Sequence, residues 1–199
     1  MVDYKSGAKA FRLADIVNGL NLQMFLYLFN VCADDSNPYA GVPAGVLYMH
    51  AARSVLTVET KSSAERDIAG QEDKAFGMNG IVITNPECDI PAAMEHDLAG
   101  KYIPVRLKKS GVGGSLASLE QLGLLQRKIE ALVADMGNAL QNGQIGQHPV
   151  QAKDHDKTCE YCDFASVCAF KKSVTPRTYD DQTDSAVLAE LEKEGENHA

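Results

Sequence analysis

The order of the first fifty residues constrains the fold more than any other feature of the sequence. A short strand pattern at Val2–Lys5 is followed by a segment over residues 19–32 that is apolar nearly all round. A second short apolar run, bounded by turn residues, covers residues 43–50. The first segment is typical of a buried helix, and the second of a strand covered on both faces. This order of strand, helix and strand predicts an α/β sheet.

The following residues predict further strands. Residues 80–84 form an apolar run, and residues 101–109 predict an edge strand, because Pro104 cannot donate a backbone hydrogen bond to a ladder. Glycines at 110–114 indicate a flexible turn. The polar stretch over 53–76 is interpreted as an insertion or loop with some helix.

A long amphipathic helix is predicted after Ser118. Ser118 and Gln121 have the spacing of a capping box, and Gly143 is placed to end the helix. The apolar residues that follow recur at steps of three and four, which gives one stripe: Leu119, Leu122, Leu125, Ile129, Leu132, Val133, Met136 and Leu140.

Length and composition favour one globular domain with appendages. The chain has 199 residues, of which 45% are hydrophobic. It lacks both an apolar run of roughly 20 residues and the basic-then-apolar start of a secretory signal, so a cytoplasmic location is expected. We expect residues 171–199 to form an acidic, flexible tail, with at most a frayed helix near residues 186–194.

The net charge of −8 is unevenly distributed. Residues 180–199 hold seven acids and one lysine, so they carry −6 and leave −2 for the rest. A nearly neutral body can still carry local basic patches for a polyanionic partner. The candidates are Arg106, Lys108 and Lys109, or Lys171 and Lys172, although each alone is more typical of solvated surface charge.

Asp3 and Lys5 supply the first chemical signal. Side chains alternate along a strand, so these two project from the same side. A carboxylate that holds a divalent cation and an ammonium that orients water or neutralises phosphate charge suit phosphodiester hydrolysis. Alone, the pair is equally typical of an exposed ion pair before a turn.

Clustered cysteines supply the second signal. Three of the five cysteines fall within ten residues with C-x2-C-x5-C spacing: Cys159, Cys162 and Cys168. In a cytoplasmic chain this spacing favours a metal over disulfides. A fourth ligand would be needed. It could be His155 in a zinc site, whereas in an iron–sulfur cluster it could be Cys32 or Cys88. Spacing alone leaves zinc and iron–sulfur equally open.

Gln23 and Tyr27 lie one helical turn apart and share a face of the first helix. An amide and a phenol on that face could reach a metal, the lysine or DNA. The alternative is that they are buried polar groups that have found partners. The residues themselves favour this structural role.

Taken in order, Asp3-Tyr4-Lys5, Gln23-x3-Tyr27 and the cysteine triplet resemble the PD-(D/E)XK nuclease domain of the RecB and AddB type, and most closely the C-terminal domain of the AddB kind. The resemblance covers most of residues 1–170 and extends to residues 43–48 between the motifs. It implies a restriction-endonuclease-like core, with a mixed sheet flanked by helices and a cysteine-rich iron–sulfur segment over residues 159–168.

The same resemblance implies roles for individual residues. Asp3 would bind Mg²⁺ or Mn²⁺, with the main-chain carbonyl of Tyr4 as a second contact, and Lys5 would be the catalytic lysine. Gln23 and Tyr27 would support the active site. The three clustered cysteines would bind a 4Fe–4S cluster, with zinc as the alternative, and this cluster would staple the end of the domain to its beginning.

The function that this family implies is a metal-dependent DNA exonuclease module of a helicase–nuclease that repairs double-strand breaks together with a partner subunit. The family has a further metal-binding acid and a fourth cluster cysteine upstream of the motifs found here. We therefore expect the chain to be an N-terminally truncated domain that is weakly active alone. The alternatives are a Cas4-like free-standing exonuclease and a non-catalytic metal-cluster module for DNA binding or assembly.

Overall fold

The computed structural model describes residues 1–7, 9–34, 36–51, 76–144, 146, 148–152, 159, 162–168 and 176–196. The insertion expected over residues 53–76 therefore lies almost wholly outside the described residues. In chain order the elements are β1 (Val2–Lys5), α1 (Leu13–Val17), α2 (Gln23–Ala33), β2 (Gly45–His50), β3 (Asn79–Thr84), α3 (Ile90–Met94), β4 (Val105–Lys108), β5 (Gly111–Gly114), β6 (Leu116–Ser118), α4 (Leu119–Gln141), β7 (Val150–Ala152), α5 (Ala165–Cys168), β8 (Arg177–Tyr179) and α6 (Asp184–Glu196).

The chain divides into two compact units. The first contains Met1–Phe11 and Gln23–Gly123, and the second contains Arg12–Leu22 and Leu124–Ala199. Across the parts of the chain that are described, no helix is both long and apolar enough to cross a membrane.

A four-stranded mixed sheet forms the centre of the first unit. Its order is β1-β2-β3-β6. β1 pairs in parallel with β2, β2 pairs antiparallel with β3, and β3 pairs in parallel with β6. Parallel neighbours need a crossover connection, which contains α2 in the case of β1 and β2. The strands predicted at residues 43–50 and 80–84 and the mixed sheet are confirmed.

The core of the first unit lies on both faces of this sheet. Residues 45–48 of β2 are buried in succession, which is typical of a strand covered on both sides. On one face, Phe25 of α2 is 1% exposed, and its ring centroid lies 6.2 Å from that of Phe11. Phe11 in turn lies 6.1 Å from the ring of Tyr48. These aromatic contacts hold α2 against β2.

The segment after the third strand differs from its prediction. The strand expected over residues 101–109 is limited to β4, and the expected turn at 110–114 contains a second strand, β5, that pairs antiparallel with β4. At the end of β5, a glycine allows the close approach of two backbone segments. Gly114 has φ +141°, and a Cβ at this position would overlap the Pro104 carbonyl oxygen.

A buried carboxylate organises the loop that leads into β4. Glu95 is only 8% exposed. Its oxygens accept hydrogen bonds from the backbone N–H groups of Lys101, Tyr102 and Ile103 at 2.9, 3.0 and 3.0 Å. Burial alone would raise the pKa of Glu95, but the backbone donors at residues 100–103 outweigh it and lower this pKa below its ordinary value.

Helix α4 begins with the predicted capping box. The backbone N–H of Gln121 donates to Ser118 Oγ at 3.0 Å, and that of Ser118 donates to Gln121 Oε1 at 2.8 Å. The helix ends at Gln141, and Gly143 follows with φ +68°. The apolar stripe is buried only in its first half, since Leu140 is 71% exposed.

In the second unit, the acidic segment near the chain end packs as a helix. Val187, Leu188 and Leu191 of α6 are buried, whereas the sequence led us to expect a flexible tail. Asp184 Oδ1 accepts the backbone N–H of Leu13 at 2.8 Å and so caps α1. These contacts join residues more than 170 positions apart, so no local pattern could have indicated them.

A second buried carboxylate connects α1 to β8 within this unit. Asp15 is 4% exposed and accepts the hydroxyl of Tyr179 at 2.6 Å. It also accepts the guanidinium of Arg12 at 3.1 Å and the amide of Asn21 at 3.1 Å. Burial and the contact with Asp15 raise the pKa of Tyr179. The network satisfies a carboxylate that would otherwise be costly to bury.

Replacing Glu95 with Gln should destabilise the protein by about 2–3 kcal/mol at neutral pH, because an amide cannot accept three backbone donors. A depressed carboxylate pKa stabilises the folded state fully above the unfolded pKa, which is near 4.5, and this contribution is lost as pH falls through the folded value. The difference between wild type and E95Q in urea unfolding should therefore be largest at pH 7 and shrink below pH ~4.5.

The matched control is Glu87→Gln, which makes the same change at an exposed position. It should change the free energy of unfolding by no more than about 0.5 kcal/mol. Equal midpoints for E95Q and E87Q at pH 7 would rule out a stabilising role for the buried carboxylate.

Candidate active site

Strand β1 brings Asp3 and Lys5 together as the sequence predicted. Lys5 Nζ lies 2.5 Å from Asp3 Oδ2. The Asp3 side chain is 28% exposed and the Lys5 side chain is 31% exposed. The parallel register places Asp3 beside Tyr48 and Lys5 beside His50. The carboxylate and the ammonium thus share one small, half-buried space.

The Asp3 carboxylate has unused bonding capacity. Its Oδ2 atom is buried and lies against the Lys5 ammonium, and no other described residue donates a hydrogen bond to it. The contact with Lys5 is a charge-assisted pairing of a carboxylate with an ammonium. A buried carboxylate oxygen with unused lone pairs is chemically suited to a hard divalent cation, which prefers oxygen ligands.

The backbone of β1 offers a second oxygen. Met1 O accepts the N–H of Leu47 at 3.0 Å, and Lys5 O accepts that of Ala51 at 2.9 Å. Carbonyl directions alternate along a strand. The Tyr4 carbonyl therefore points to the edge of β1 away from β2, where the described residues supply no paired strand.

Tyr48 is a site residue that the sequence did not single out. Lys5 Nζ lies 5.5 Å from its ring centroid, and Tyr48 is only 5% exposed. A cation at this distance from an aromatic face is attracted to it. The contact with Asp3 raises the pKa of Lys5, and Tyr48 and Tyr27 add smaller contributions in the same direction. Only the parallel register of β1 and β2 places Tyr48 beside Asp3, and this long-range pairing cannot be read from the local sequence.

Gln23 and Tyr27 form a pair on the first turns of α2. Gln23 Nε2 donates to the Tyr27 hydroxyl oxygen at 3.2 Å. Gln23 is exposed and Tyr27 is 54% exposed, which argues against the alternative that they are buried polar groups.

The clustered cysteines lie in the second unit. The N–H of Cys162 donates to Cys159 O at 3.4 Å, which closes a turn, and Cys168 ends the short helix α5. All five cysteines of the chain are described, and they form no disulfide. Within the described ranges, no three His, Cys, Asp or Glu side chains are grouped to hold a metal. His155, Lys171 and Lys172 lie outside the described residues.

Comparison of the sequence with known protein families identifies one class of protein. A profile of the PD-(D/E)XK nuclease superfamily matches residues 1–169. The chain belongs to that superfamily, as its motifs predicted.

Individual relatives carry a more specific name, that of the B-type subunit of an ATP-dependent helicase/deoxyribonuclease. The chain is 32% identical to this protein from Oceanobacillus iheyensis, over 100% of this chain and 18% of that protein. It is 31% identical to the protein of the same name from Bacillus cereus, and 27% identical to that from Clostridium kluyveri. These alignments cover 98% and 96% of this chain, and 17% of each relative. The chain thus spans less than a fifth of the length of these relatives.

Removing the charge of Asp3 should lower the pKa of Lys5 toward its ordinary value of 10.5, because Asp3 is the largest cause of its upward shift. NMR titration of the lysine side-chain signals in wild type and Asp3→Asn measures this, with the Lys5 signal assigned from Lys5→Arg. Asp97→Asn is the control, since the Asp97 side chain is 87% exposed and contacts His96 instead. An unchanged Lys5 titration in Asp3→Asn would contradict the observed ion pair.

Proposed function

We propose that this chain is the deoxyribonuclease module of a helicase–nuclease of the kind named in its relatives, and that it degrades DNA from ends in a divalent-metal-dependent reaction. Superfamily membership supports nuclease activity. The observation that directs the proposal to particular residues is the partly buried Asp3 carboxylate paired with the Lys5 ammonium on one face of β1. Such a pair suits phosphodiester hydrolysis.

Asp3 and the main-chain carbonyl of Tyr4 would hold Mg²⁺ or Mn²⁺. When bound, the cation supplies charge stabilisation at phosphate oxygens and lowers the pKa of a bound water. Lys5 remains an ammonium at neutral pH, because the contact with Asp3 raises its pKa above the ordinary lysine value. It therefore donates hydrogen bonds to the attacking water or to a phosphate oxygen, and does not act as the proton acceptor.

Gln23 and Tyr27 would support the same site from α2. Their hydrogen bond fixes an amide and a phenol at the surface, so both groups are presented to a bound nucleotide. The buried ring of Tyr48 would hold the Lys5 stem in position from below. A bound DNA strand would thus contact β1 and the start of α2 together.

The biological setting is part of the proposal. In the relatives this region belongs to much longer proteins, each named as a subunit of an ATP-dependent helicase/deoxyribonuclease. We propose that the present module acts on DNA in the cytoplasm together with a partner subunit, in double-strand-break repair. Cleavage by this chain alone is expected to be weak, because Asp3 offers only one carboxylate to the cation.

Lys5→Ala should reduce magnesium-dependent degradation of linear DNA by at least about 100-fold, because it removes the ammonium that stabilises phosphate charge. The assay compares this chain with a polypeptide extended upstream in the gene, each with and without the substitution. Lys193→Ala is the matched control, since Lys193 lies exposed on α6 in the second unit.

Cleavage that Lys5→Ala abolishes and Lys193→Ala leaves intact supports the proposal. Cleavage only by the extended polypeptide means that upstream residues complete the site. If neither polypeptide cuts DNA with Mg²⁺ or Mn²⁺, the nuclease proposal fails, and a non-catalytic DNA-binding or assembly module becomes the better account.

We further propose that Cys159, Cys162 and Cys168 bind a 4Fe–4S cluster, with zinc as the alternative. The support is the C-x2-C-x5-C spacing, together with the backbone turn that joins the first two cysteines. The described residues do not gather a complete ligand set, so no step of the reaction is assigned to the cluster. Its proposed role is to stabilise the second unit.

Anaerobically purified protein should contain iron and acid-labile sulfide in equal amounts, and Cys162→Ser should lose both. Val167→Ser is the control, because Val167 lies in the same segment, is 84% exposed and has no metal-binding side-chain atom. One zinc per chain with no sulfide would favour zinc. Protein that binds neither metal would refute the cluster.

A further inference from the structure

The β4–β5 hairpin, residues 105–114, carries a patch of uncompensated positive charge. Arg106, Lys108 and Lys109 are all exposed. Every ion pair found within the described residues involves other cations. These three neighbouring cations thus have no carboxylate partner within the described structure, in a chain whose net charge is −8.

One face of this hairpin is basic and flat. Arg106 and Lys108 are two residues apart, so they project from the same face. In the antiparallel register they lie opposite Gly113 and Gly111. No side chain of β5 therefore covers them, and the Lys108 stem lies across Gly113, where an added Cβ would come within 3.2 Å of Lys108 Cδ.

Two exposed acids lie near the other face of the hairpin. Val112 and Leu107 are opposite each other in the register and project away from the basic face. Val112 lines a cavity of about 330 Å³ whose walls include Glu87 and Asp89. The hairpin thus separates these carboxylates from the cations, and leaves the basic face open to an anionic partner.

The hairpin is held rigidly at its base. Val105 is 1% exposed, and the N–H of Leu107 donates to Leu98 O at 2.8 Å. On the other side, the N–H of Ser115 donates to Pro104 O at 2.9 Å. The Glu95 carboxylate fixes the approach to β4. A rigid element presents its charges at fixed spacing, which lowers the entropy cost of binding.

We propose that this hairpin binds the phosphate backbone of DNA without reading its sequence; this inference rests on the proposed nuclease function. It is joined to β6, which lies at the opposite end of the sheet order from β1. Strands β2 and β3 separate β6 from β1 in the sheet order, so the proposed hairpin contact with DNA is distinct from the Asp3–Lys5 site.

The test measures DNA affinity as a function of salt, without divalent cations so that no cleavage occurs. The hairpin variant is Arg106→Gln with Lys108→Gln, and the control is Arg127→Gln with Lys193→Gln, which removes the same charge at exposed positions elsewhere. The probe is a labelled single-stranded oligonucleotide, followed by fluorescence anisotropy between 50 and 200 mM salt. Equal urea unfolding midpoints establish that both variants are folded.

Each lost phosphate contact should reduce the slope of log affinity against log salt by about 0.7, hence by about 1.4 for the hairpin variant. That corresponds to about a 25-fold loss of affinity at 0.1 M salt. The control should change neither quantity by comparable amounts. A hairpin variant that binds like the control, or wild type that binds no DNA at 50 mM salt, overturns the proposal.

The experiments distinguish failure of the proposed hairpin contact from failure of the proposed nuclease activity. If wild type cuts DNA in a Lys5-dependent manner and the hairpin variant binds DNA normally, only the hairpin proposal is refuted. If the hairpin variant binds DNA more weakly and no form of the protein cleaves DNA, the hairpin contact is supported and the nuclease proposal is refuted.

Discussion

The parallel pairing of β1 with β2 is the constraint on which the candidate site depends. β1 has only four residues, and this pairing sets its register against the buried strand of the core. A slip of one residue would turn Asp3 and Lys5 to the opposite face and bring Val2 and Tyr4 in their place. The chemistry proposed for the site therefore rests on the long-range hydrophobic packing of β2, and not on the short strand itself.

Two carboxylates in the first unit show how differently a partly or fully buried charge can be treated. Glu95 accepts three backbone N–H groups, so its cost of burial is offset and its role is structural. The buried oxygen of Asp3 contacts the Lys5 ammonium, and no other described residue donates to it. Asp3 therefore keeps lone pairs for the divalent cation that we propose for this site.

The features that the sequence predicted are those set by short-range periodicity. The shared face of Asp3 and Lys5, the Gln23–Tyr27 pair and the capping box of α4 all follow from spacings of two to four residues. The features that it missed depend on distant partners. Tyr48 reaches the site through strand register, and the carboxylate of Glu95 is buried by a loop that follows it. The glycines at residues 110–114 also predicted a flexible turn, whereas the structure has strand β5 there. Glycine is favoured both in flexible turns and where two backbones lie close together, so its presence alone does not distinguish them.

Net charge is a poor guide to the partner of this chain, because electrostatic interactions in salt solution are local. At physiological ionic strength a charge is screened over about 8 Å. The acidity of the chain is concentrated in residues 180–199, whereas the hairpin cations form a separate group backed by glycine. A phosphate at the basic face would respond mainly to Arg106 and Lys108, and hardly to the total of −8. An acidic protein can therefore present a surface for a polyanion, provided that its own carboxylates are buried, paired or turned to another face.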